Sequence, residues 1–298
     1  MTRSSALALA LLAVGSFAIS FGNACGGGDV KHGVVYDARY DDATNMDVYL
    51  PSGSGSRRPA VMLIHGGGWY IGEKEDFILT AHRLSASGYV AASINYRMKS
   101  AGMFPAAVRD GACALAFLRA HADEYGIDPD RIALFGYSAG GYIANILGVA
   151  IGTPGIEADC AAGLTGPPRA VISGSGPTDL RLFNDAWLVV KFMGGTAAEK
   201  PALYDLASAV GHVKAGDPPF LFVHGDGDWF VPVDSSLIMR DALLGVGTDA
   251  RVLKLAGGGH LVNAGDSDPA DDAFGLSTDT PEAWIAIADF LERTIGRP

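Results

Sequence analysis

The chain has 298 residues, of which 49% are hydrophobic and 18% charged, and its 22 Lys and Arg against 33 Asp and Glu give a net charge of −11. A chain of this length buries enough apolar surface to fold without a disulfide framework or a structural metal, and its aromatic content argues against disorder. The negative charge opposes a phosphate-binding surface, so we expect no nucleic-acid partner and favour neutral or uncharged substrates.

Residues 1–24 predict a secretory signal peptide. Arg3 precedes a run of apolar and small residues from 6 to 21, which is shorter than the ~20 residues that span a bilayer as a helix. Gly22 and Ala24 place small side chains where a signal peptidase accepts them, ahead of Cys25. Three glycines follow Cys25, which is also typical of a lipid-anchored cysteine. We therefore expect a secreted or periplasmic protein with a tether over 25–32, and leave free secretion and a membrane anchor at Cys25 as alternatives.

The remaining residues, 33–298, predict one α/β domain. Short apolar runs rich in β-formers alternate with longer helical patterns, which is typical of a mostly parallel sheet with helices on both faces. Helices are predicted at 76–87, 104–125, 139–149, 235–244 and 281–295. The first two strands are less continuous and predict an antiparallel edge hairpin. The predicted strands are 33–36, 46–50, 60–64, 90–96, 131–135, 170–173, 219–224 and 251–255.

Two further features of this domain leave alternatives open. The interval 177–216 holds either a small lid or a crossover helix with surface loops. With Cys25 assigned to processing, Cys113 and Cys160 are candidates for a disulfide in an oxidising compartment. Cys113 lies among alanines in a helical pattern, where a small buried hydrophobic side chain is the other interpretation.

The strongest motif is Gly-Tyr-Ser-Ala-Gly at 136–140, directly after a predicted strand and before a predicted helix. A strand-to-helix turn of this kind holds a serine under strain with its hydroxyl exposed. Ser138 is therefore the predicted nucleophile. A serine hydroxyl is weakly nucleophilic at neutral pH, so the chemistry also requires a base in contact with it and donors for the developing oxyanion.

The motif His-Gly-Gly-Gly-Trp at 65–69 follows the apolar strand 60–64 and predicts those donors. Glycines let the backbone approach a substrate closely, so the N–H groups of Gly67 and Gly68, with that of Ala139, form the predicted oxyanion hole. Nothing like Gly-Lys-Ser/Thr follows, which argues against a phosphate loop. We expect His65 to be structural and to hydrogen-bond within its own loop.

His260 is the predicted base. It follows a triple glycine and the strand 251–255, at the end of a strand where open α/β sheets bind ligands. His224 and His212 remain competitors.

Asp228, in the loop after strand 219–224, is the predicted acid that orients the imidazole. Asp226 lies beside glycines in the same loop, where an aspartate commonly satisfies turn amides. Asp179 is the other rival.

Together with the runs at 104–110 and 125–132, these motifs resemble the α/β-hydrolase superfamily over about residues 30–296. Within it the chain is similar to the small esterase/lipase group with an HGGGW loop, which includes bacterial esterases, acetyl-xylan-type esterases and kynurenine formamidases. The resemblance implies an α/β-hydrolase fold with a mostly parallel eight-stranded sheet. It also implies a serine hydrolase without cofactor or metal that forms an acyl-enzyme on Ser138. Only 40 residues separate Cys25 from His65, so we expect little or no cap.

We therefore expect a carboxylic-ester hydrolase that acts on a small-molecule or carbohydrate-linked ester. A reduced cap offers little apolar wall for a long chain, which favours short acyl groups. The alternatives are an amidase, peptidase or arylformamidase on the same fold, and a catalytically silent binding protein. Five aromatic residues are candidates for substrate contact: Trp69, Tyr70, Tyr137, Trp187 and Trp229.

Overall fold

The computed structural model describes residues 28–53, 57–183, 185–260 and 280–298. The predicted signal peptide and Cys25 lie outside the described residues. The first strand begins at Val30, so the last residues of the predicted tether belong to the sheet. Among the helices of the described residues, none combines the length and apolar composition needed to cross a bilayer.

Eight strands form one sheet in the order β1-β2-β4-β3-β5-β6-β7-β8. The β1-β2 and β2-β4 pairs are antiparallel and the remaining pairs are parallel. This confirms the predicted edge hairpin and the mostly parallel sheet. The strands are β1 Val30–Val35, β2 Asn45–Tyr49, β3 Arg58–Ile64, β4 Val90–Ile94, β5 Ile127–Tyr137, β6 Ala170–Gly174, β7 Phe220–Gly225 and β8 Ala250–Leu255.

Helices cover both faces of the sheet, as predicted. They are α1 Ile78–Ala86, α2 Ala106–Ala120, α3 Ala122–Tyr125, α4 Ala139–Ala150, α5 Trp187–Met193, α6 Pro201–Ala207, α7 Asp234–Gly245 and α8 Pro281–Ile295. Short 3₁₀ turns occupy Asp41–Ala43, Lys74–Phe77, Lys99–Gly102, Leu180–Phe183 and Ala209–His212.

Strand β3 shows why its sequence is apolar throughout. Successive side chains of a strand point to opposite faces. Met62 and Ile64 therefore join the core beneath α2 and α4, whereas Val61 and Leu63 join a second core beneath α1 and α8. Both faces of the strand are buried under helices, so an apolar side chain is favoured at each of its inner positions.

The structure departs from the predicted elements in several places, two of which are helical segments. The predicted helix 104–125 ends at Ala120 and resumes as α3, and the ring of His121 between them stacks on Phe117. The interval 177–216 contains two short helices, α5 and α6, rather than one crossover helix.

Cys113 and Cys160 form a disulfide, with their Cα atoms 5.9 Å apart. The bond joins α2 to the segment that follows α4. The 47-residue separation between the two cysteines includes β5 and the turn at Ser138. The pairing therefore resolves the two interpretations of Cys113 in favour of a disulfide.

Candidate active site

Ser138 occupies a strained turn between β5 and α4, with φ 52° and ψ −116°. Its backbone N–H donates to the Gly174 carbonyl of the neighbouring strand β6 at 2.7 Å, which anchors the turn. A Cβ on Gly140 would overlap the carbonyl oxygen of Ile64. Only glycine at this position therefore allows the turn to pack against the end of β3.

Three sequence-predicted residues meet at the carboxyl ends of β5, β7 and β8. The Ser138 hydroxyl lies 2.9 Å from Nε2 of His260, and Nδ1 of His260 lies 2.8 Å from Oδ2 of Asp228. A carboxylate only accepts, so Nδ1–H donates to Asp228 and Nε2 accepts the serine proton. The three side chains have the geometry of a catalytic triad.

Asp228 is buried, and burial acts to raise the pKa of its carboxyl group. Hydrogen bonds from His224 and His260 outweigh burial and hold the pKa well below its ordinary value. The other oxygen, Oδ1, accepts from the N–H groups of Phe230 at 3.0 Å and Val231 at 2.8 Å. Asp228 is therefore ionised at neutral pH and can stabilise a protonated His260.

His224, a competitor for the base, lies fully buried behind the acid. Its Nε2 lies 2.7 Å from the Val231 carbonyl and 3.3 Å from Oδ2 of Asp228, and its Nδ1 lies 2.7 Å from the Ser236 hydroxyl. A carbonyl only accepts, so Nε2 carries the proton and Nδ1 accepts from Ser236. His224 thus braces the turn that holds Asp228, a role that the sequence analysis did not identify.

The other rivals have structural partners. Asp226 accepts the Gly257 N–H at 2.6 Å, as expected for a turn aspartate, and Asp179 pairs with Arg181 at 2.8 Å. His212 bonds the Leu206 carbonyl at 2.9 Å.

A close backbone contact holds the acid and histidine loops together. A Cβ on Gly225 would overlap the carbonyl oxygen of Gly258, and Gly227 donates its N–H to the same oxygen at 2.9 Å. His260 lies two residues after Gly258, so this contact fixes the backbone position from which the imidazole ring extends.

The glycine loop after β3 lies beside the nucleophile. Gly67 and Gly68 have positive φ angles of 95° and 62°, and both line one cavity with Ser138. His65 donates from Nδ1 to the Gly66 carbonyl at 2.9 Å, and its ring stacks on Tyr96 at 4.3 Å. Burial lowers the pKa of His65 to about 4, so the ring is neutral and serves the loop structure, as expected from the sequence.

The catalytic cavity has a volume of about 540 Å³. Four of the five predicted aromatics line it, and Asp76, whose pKa burial raises, adds a carboxyl group to a mostly apolar wall. The described residues of its lining are Gly66, Gly67, Gly68, Tyr70, Ile71, Gly72, Asp76, Phe77, Tyr137, Ser138, Trp187, Leu188, Trp229, Phe230, Gly259 and His260.

Trp69, the fifth of the predicted aromatic residues, does not line this cavity. Its ring is buried, stacks on Phe192 at 4.1 Å and meets Tyr142 edge-on, because the turn after Gly68 directs it into the core. Conversely, Leu188 and Phe230 line the cavity without having been predicted. No periodicity or motif in the sequence marks either residue.

A second, small cavity of about 60 Å³ opens beside the nucleophile. Ser138 and Ala139 form one side of it, and the other walls are almost entirely apolar. Those walls are Gly68, Trp69, Pro177, Phe183, Ala186, Leu188, Val189, Phe230 and Val231. Trp69 therefore contributes to this cavity rather than to the larger one.

Within the described residues, one group of possible metal ligands comes together: Asp37, Cys113 and Asp159. The sulfur of Cys113 is committed to the disulfide, and both carboxylates pair with Arg39. This group is therefore structural, and it is separate from the triad.

Residues 46–243 match the BD-FAE protein family. Curated relatives include the probable isoprenylcysteine alpha-carbonyl methylesterase ICMEL1 of Arabidopsis thaliana, 31% identical over 78% of this chain and 51% of its own length. Esterase LipC of Mycobacterium tuberculosis is 28% identical over 79% of this chain and 62% of its own length. The part of each relative that this chain matches is thus only about half to three fifths of that relative's length.

Solved structures share the fold over most of the chain. A truncated carbohydrate esterase from gut microbiota superposes with a TM-score of 0.79 at 24% identity, covering 91% of this chain and 97% of its own. Esterase 2 of Thermogutta terrifontis, solved after reaction with tabun, gives a TM-score of 0.70 at 25% identity, covering 91% of this chain and 96% of its own. The chain has the α/β-hydrolase fold of these esterases.

Asp228 and Asp226 provide a matched pair of substitutions. Asp228→Asn should lower kcat by about 10⁴-fold, because an amide can donate to Nδ1 and stabilise the wrong tautomer of His260. Asp226→Asn keeps an oxygen that accepts the Gly257 N–H and should stay within a few-fold of wild type. Steady-state kinetics on p-nitrophenyl acetate would measure both variants. The reverse ranking would contradict the assignment of the acid.

The buried neutral His65 should make stability depend on pH. Its pKa is about 4 when folded and 6.5 in the reference state, so between these values the unfolded chain binds more protons and stability falls as the pH is lowered. Between pH 6.5 and pH 4, wild type should lose about 3 kcal/mol more free energy of unfolding than His65→Gln, at ~1.4 kcal/mol per pH unit. Urea unfolding across this range is the measurement, with the exposed-site variant His82→Gln as control. If wild type and His65→Gln lost the same free energy of unfolding between pH 6.5 and pH 4, the assignment of a buried neutral His65 would be contradicted.

Proposed function

The chain belongs to the BD-FAE family, and on that premise we propose that it hydrolyses carboxylic esters of short acids through an acyl-enzyme on Ser138. One observation carries the proposal: the continuous hydrogen bonding from Ser138 to His260 to Asp228, which ends at the wall of an apolar cavity. Activation of a serine by an oriented imidazole is the arrangement that acyl transfer requires.

In the proposed reaction, Nε2 of His260 takes the Ser138 proton as Oγ attacks the ester carbonyl carbon. The resulting imidazolium donates to ionised Asp228 through Nδ1 and then protonates the departing alkoxide. A water molecule, deprotonated by the same Nε2, then attacks the acyl carbon. The bond from that carbon to Oγ breaks, the His260 imidazolium returns its proton to Oγ, and the acid leaves with the Ser138 hydroxyl restored.

The charge that develops on the carbonyl oxygen needs preorganised donors. We assign this role to the N–H groups of Gly67, Gly68 and Ala139. Three observations support the assignment: the positive φ angles of the two glycines, their position with Ser138 in the cavity lining, and the place of Ala139 at the start of α4.

The two cavities have different sizes, which suggests which half of the ester each one holds. A volume of about 60 Å³ has room for about two groups of the size of a water molecule, which occupies ~30 Å³ in the liquid. That suits an acetyl group. The alcohol half then occupies the 540 Å³ cavity.

The rim of the larger cavity carries exposed aromatic rings. Trp187 is 57% exposed and Trp229 is 83% exposed, and each can cover an apolar face of a small-molecule or carbohydrate-linked alcohol. The truncated structural relative is named a carbohydrate esterase, which supports a sugar-linked alcohol as the substrate class.

Ser138→Ala should lower p-nitrophenyl acetate turnover by about 10⁶-fold, because the loss of the nucleophile disables the triad as a unit. Paraoxon should modify the wild type at Ser138, as shown by mass spectrometry of the peptide, and should leave the variant unmodified. Ser87→Ala, on the exposed end of α1, is the matched control and should behave as wild type. Turnover retained in Ser138→Ala would reject the function.

Acyl length should be limited by the small cavity, whose wall includes Leu188. Wild type should favour p-nitrophenyl acetate over the butyrate, and Leu188→Ala should raise the butyrate-to-acetate ratio of kcat/KM about tenfold, since each CH₂ that becomes accommodated contributes ~0.8 kcal/mol. Leu182→Ala changes an exposed leucine of the same segment and should leave the ratio unaltered. A ratio insensitive to Leu188→Ala would place the acyl group elsewhere.

A further inference from the structure

A third cavity, which we call the lysine crevice, adjoins the catalytic cavity. It has a volume of about 650 Å³ and lies between the HGGG loop, the 3₁₀ turn Lys99–Gly102 and α5. Gly68, Tyr70 and Leu188 line both this crevice and the catalytic cavity. A ligand that fills the catalytic cavity can therefore extend past these three residues into the crevice.

The charge in the lysine crevice is opposite to that of the whole chain. Its described lining contains Lys99 and Lys191 and no carboxylate, although the chain has a net charge of −11. Neither lysine has an ion-pair partner in the described part of the chain, whereas Lys74 and Lys214 each pair with an aspartate.

The rim of the crevice carries one carboxylate, Glu199, and one further ammonium group, Lys200, whose charges offset each other. Glu199, close to the rim residue Gly195, accepts the N–H of Thr196 at 2.8 Å. Lys200 donates to the Met193 carbonyl at 3.1 Å and adds a third ammonium beside Gly194.

Lys99 is held in place by its backbone. It has a positive φ of 56°, which costs free energy in a residue other than glycine, and its N–H donates to the Trp69 carbonyl at 2.8 Å. The ammonium lies 5.7 Å from the centre of the Tyr70 ring. Tyr70 lines both cavities, so this contact directs the charge of Lys99 towards their shared wall.

We propose that the lysine crevice binds a carboxylate on the alcohol half of the ester, so that the substrate is a short-acyl ester of an acidic alcohol, such as an acylated uronic acid. The inference rests on the proposed function, because it assumes that the acyl group occupies the small cavity beside Ser138. The alcohol then points through the catalytic cavity towards Lys99 and Lys191. Two ammonium groups in the walls of a cleft raise the local concentration of an anion and retain it once bound.

The test compares 4-acetoxyphenylacetate with its neutral carboxamide, 4-acetoxyphenylacetamide. The methylene group insulates the leaving oxygen from the substituent, so the two esters differ in charge and hardly in intrinsic reactivity. At low ionic strength, wild type should hydrolyse the carboxylate with a kcat/KM about five- to tenfold higher, and ~0.5 M NaCl should abolish most of the difference. Lys99→Gln/Lys191→Gln should bring the ratio of the two kcat/KM values to about one or below.

A control separates the crevice from overall charge. Lys31→Gln/Lys254→Gln removes the same two charges from exposed positions on β1 and β8 and should retain most of the preference. A wild-type ratio of one or less, or an equal loss in both double variants, would overturn the proposal. The ratio of affinities for the two esters is also measured by calorimetry in Ser138→Ala. If neither ester were hydrolysed, the proposed esterase function would fail, and this binding ratio would still decide whether the crevice selects the carboxylate.

Discussion

Two close backbone contacts set the distances between the side chains of Ser138, His260 and Asp228. At Gly140 the nucleophile turn packs against the end of β3, and at Gly225 the acid loop packs against the histidine loop at Gly258. A side chain at either glycine would push apart two loops that must stay within hydrogen-bond reach. The 2.9 Å and 2.8 Å bonds of His260 depend on these contacts. The fold thus brings strand ends together, and the glycines allow the final approach.

Buried polar groups around the triad differ in charge according to their partners. Asp228 keeps its charge because backbone N–H groups and two histidines surround its oxygens. His65 donates to the Gly66 carbonyl, and burial lowers its pKa to about 4. His224 donates to the Val231 carbonyl and accepts from the Ser236 hydroxyl. The site therefore holds the negative charge of Asp228 and the neutral ring of His65. In the proposed reaction, His260 is the ring that takes up and releases a proton.

Sequence patterns predicted the inner strands well, because side chains buried on both faces require continuous apolar runs. Strand β5 extends from Ile127, four residues before its predicted start, since Pro129 and two aspartates interrupt the apolar pattern without ending the strand. The three residues Ser138, Asp228 and His260 could be predicted because each lies beside a glycine motif and because they occur in the order serine, acid, histidine along the chain. The partner of Cys113 could not be decided, because the disulfide depends on how the segment after α4 returns to α2. The position of Leu188 in the cavity walls could not be predicted either, because it depends on how α5 packs against the glycine loop. The export prediction for residues 1–24 stays a prediction.

Leu188 lines the catalytic cavity, the small acyl cavity and the lysine crevice. The space beside it exists because Gly68 lacks a Cβ, which would collide with the leucine side chain. Neither residue belongs to the triad, so a change at 188 leaves the chemistry in place and alters three binding volumes together. On the proposed assignment of the cavities, a substitution at position 188 that admits a longer acid also changes the alcohols that the protein accepts. We expect acid and alcohol preferences to diverge in a correlated way among proteins built on this arrangement.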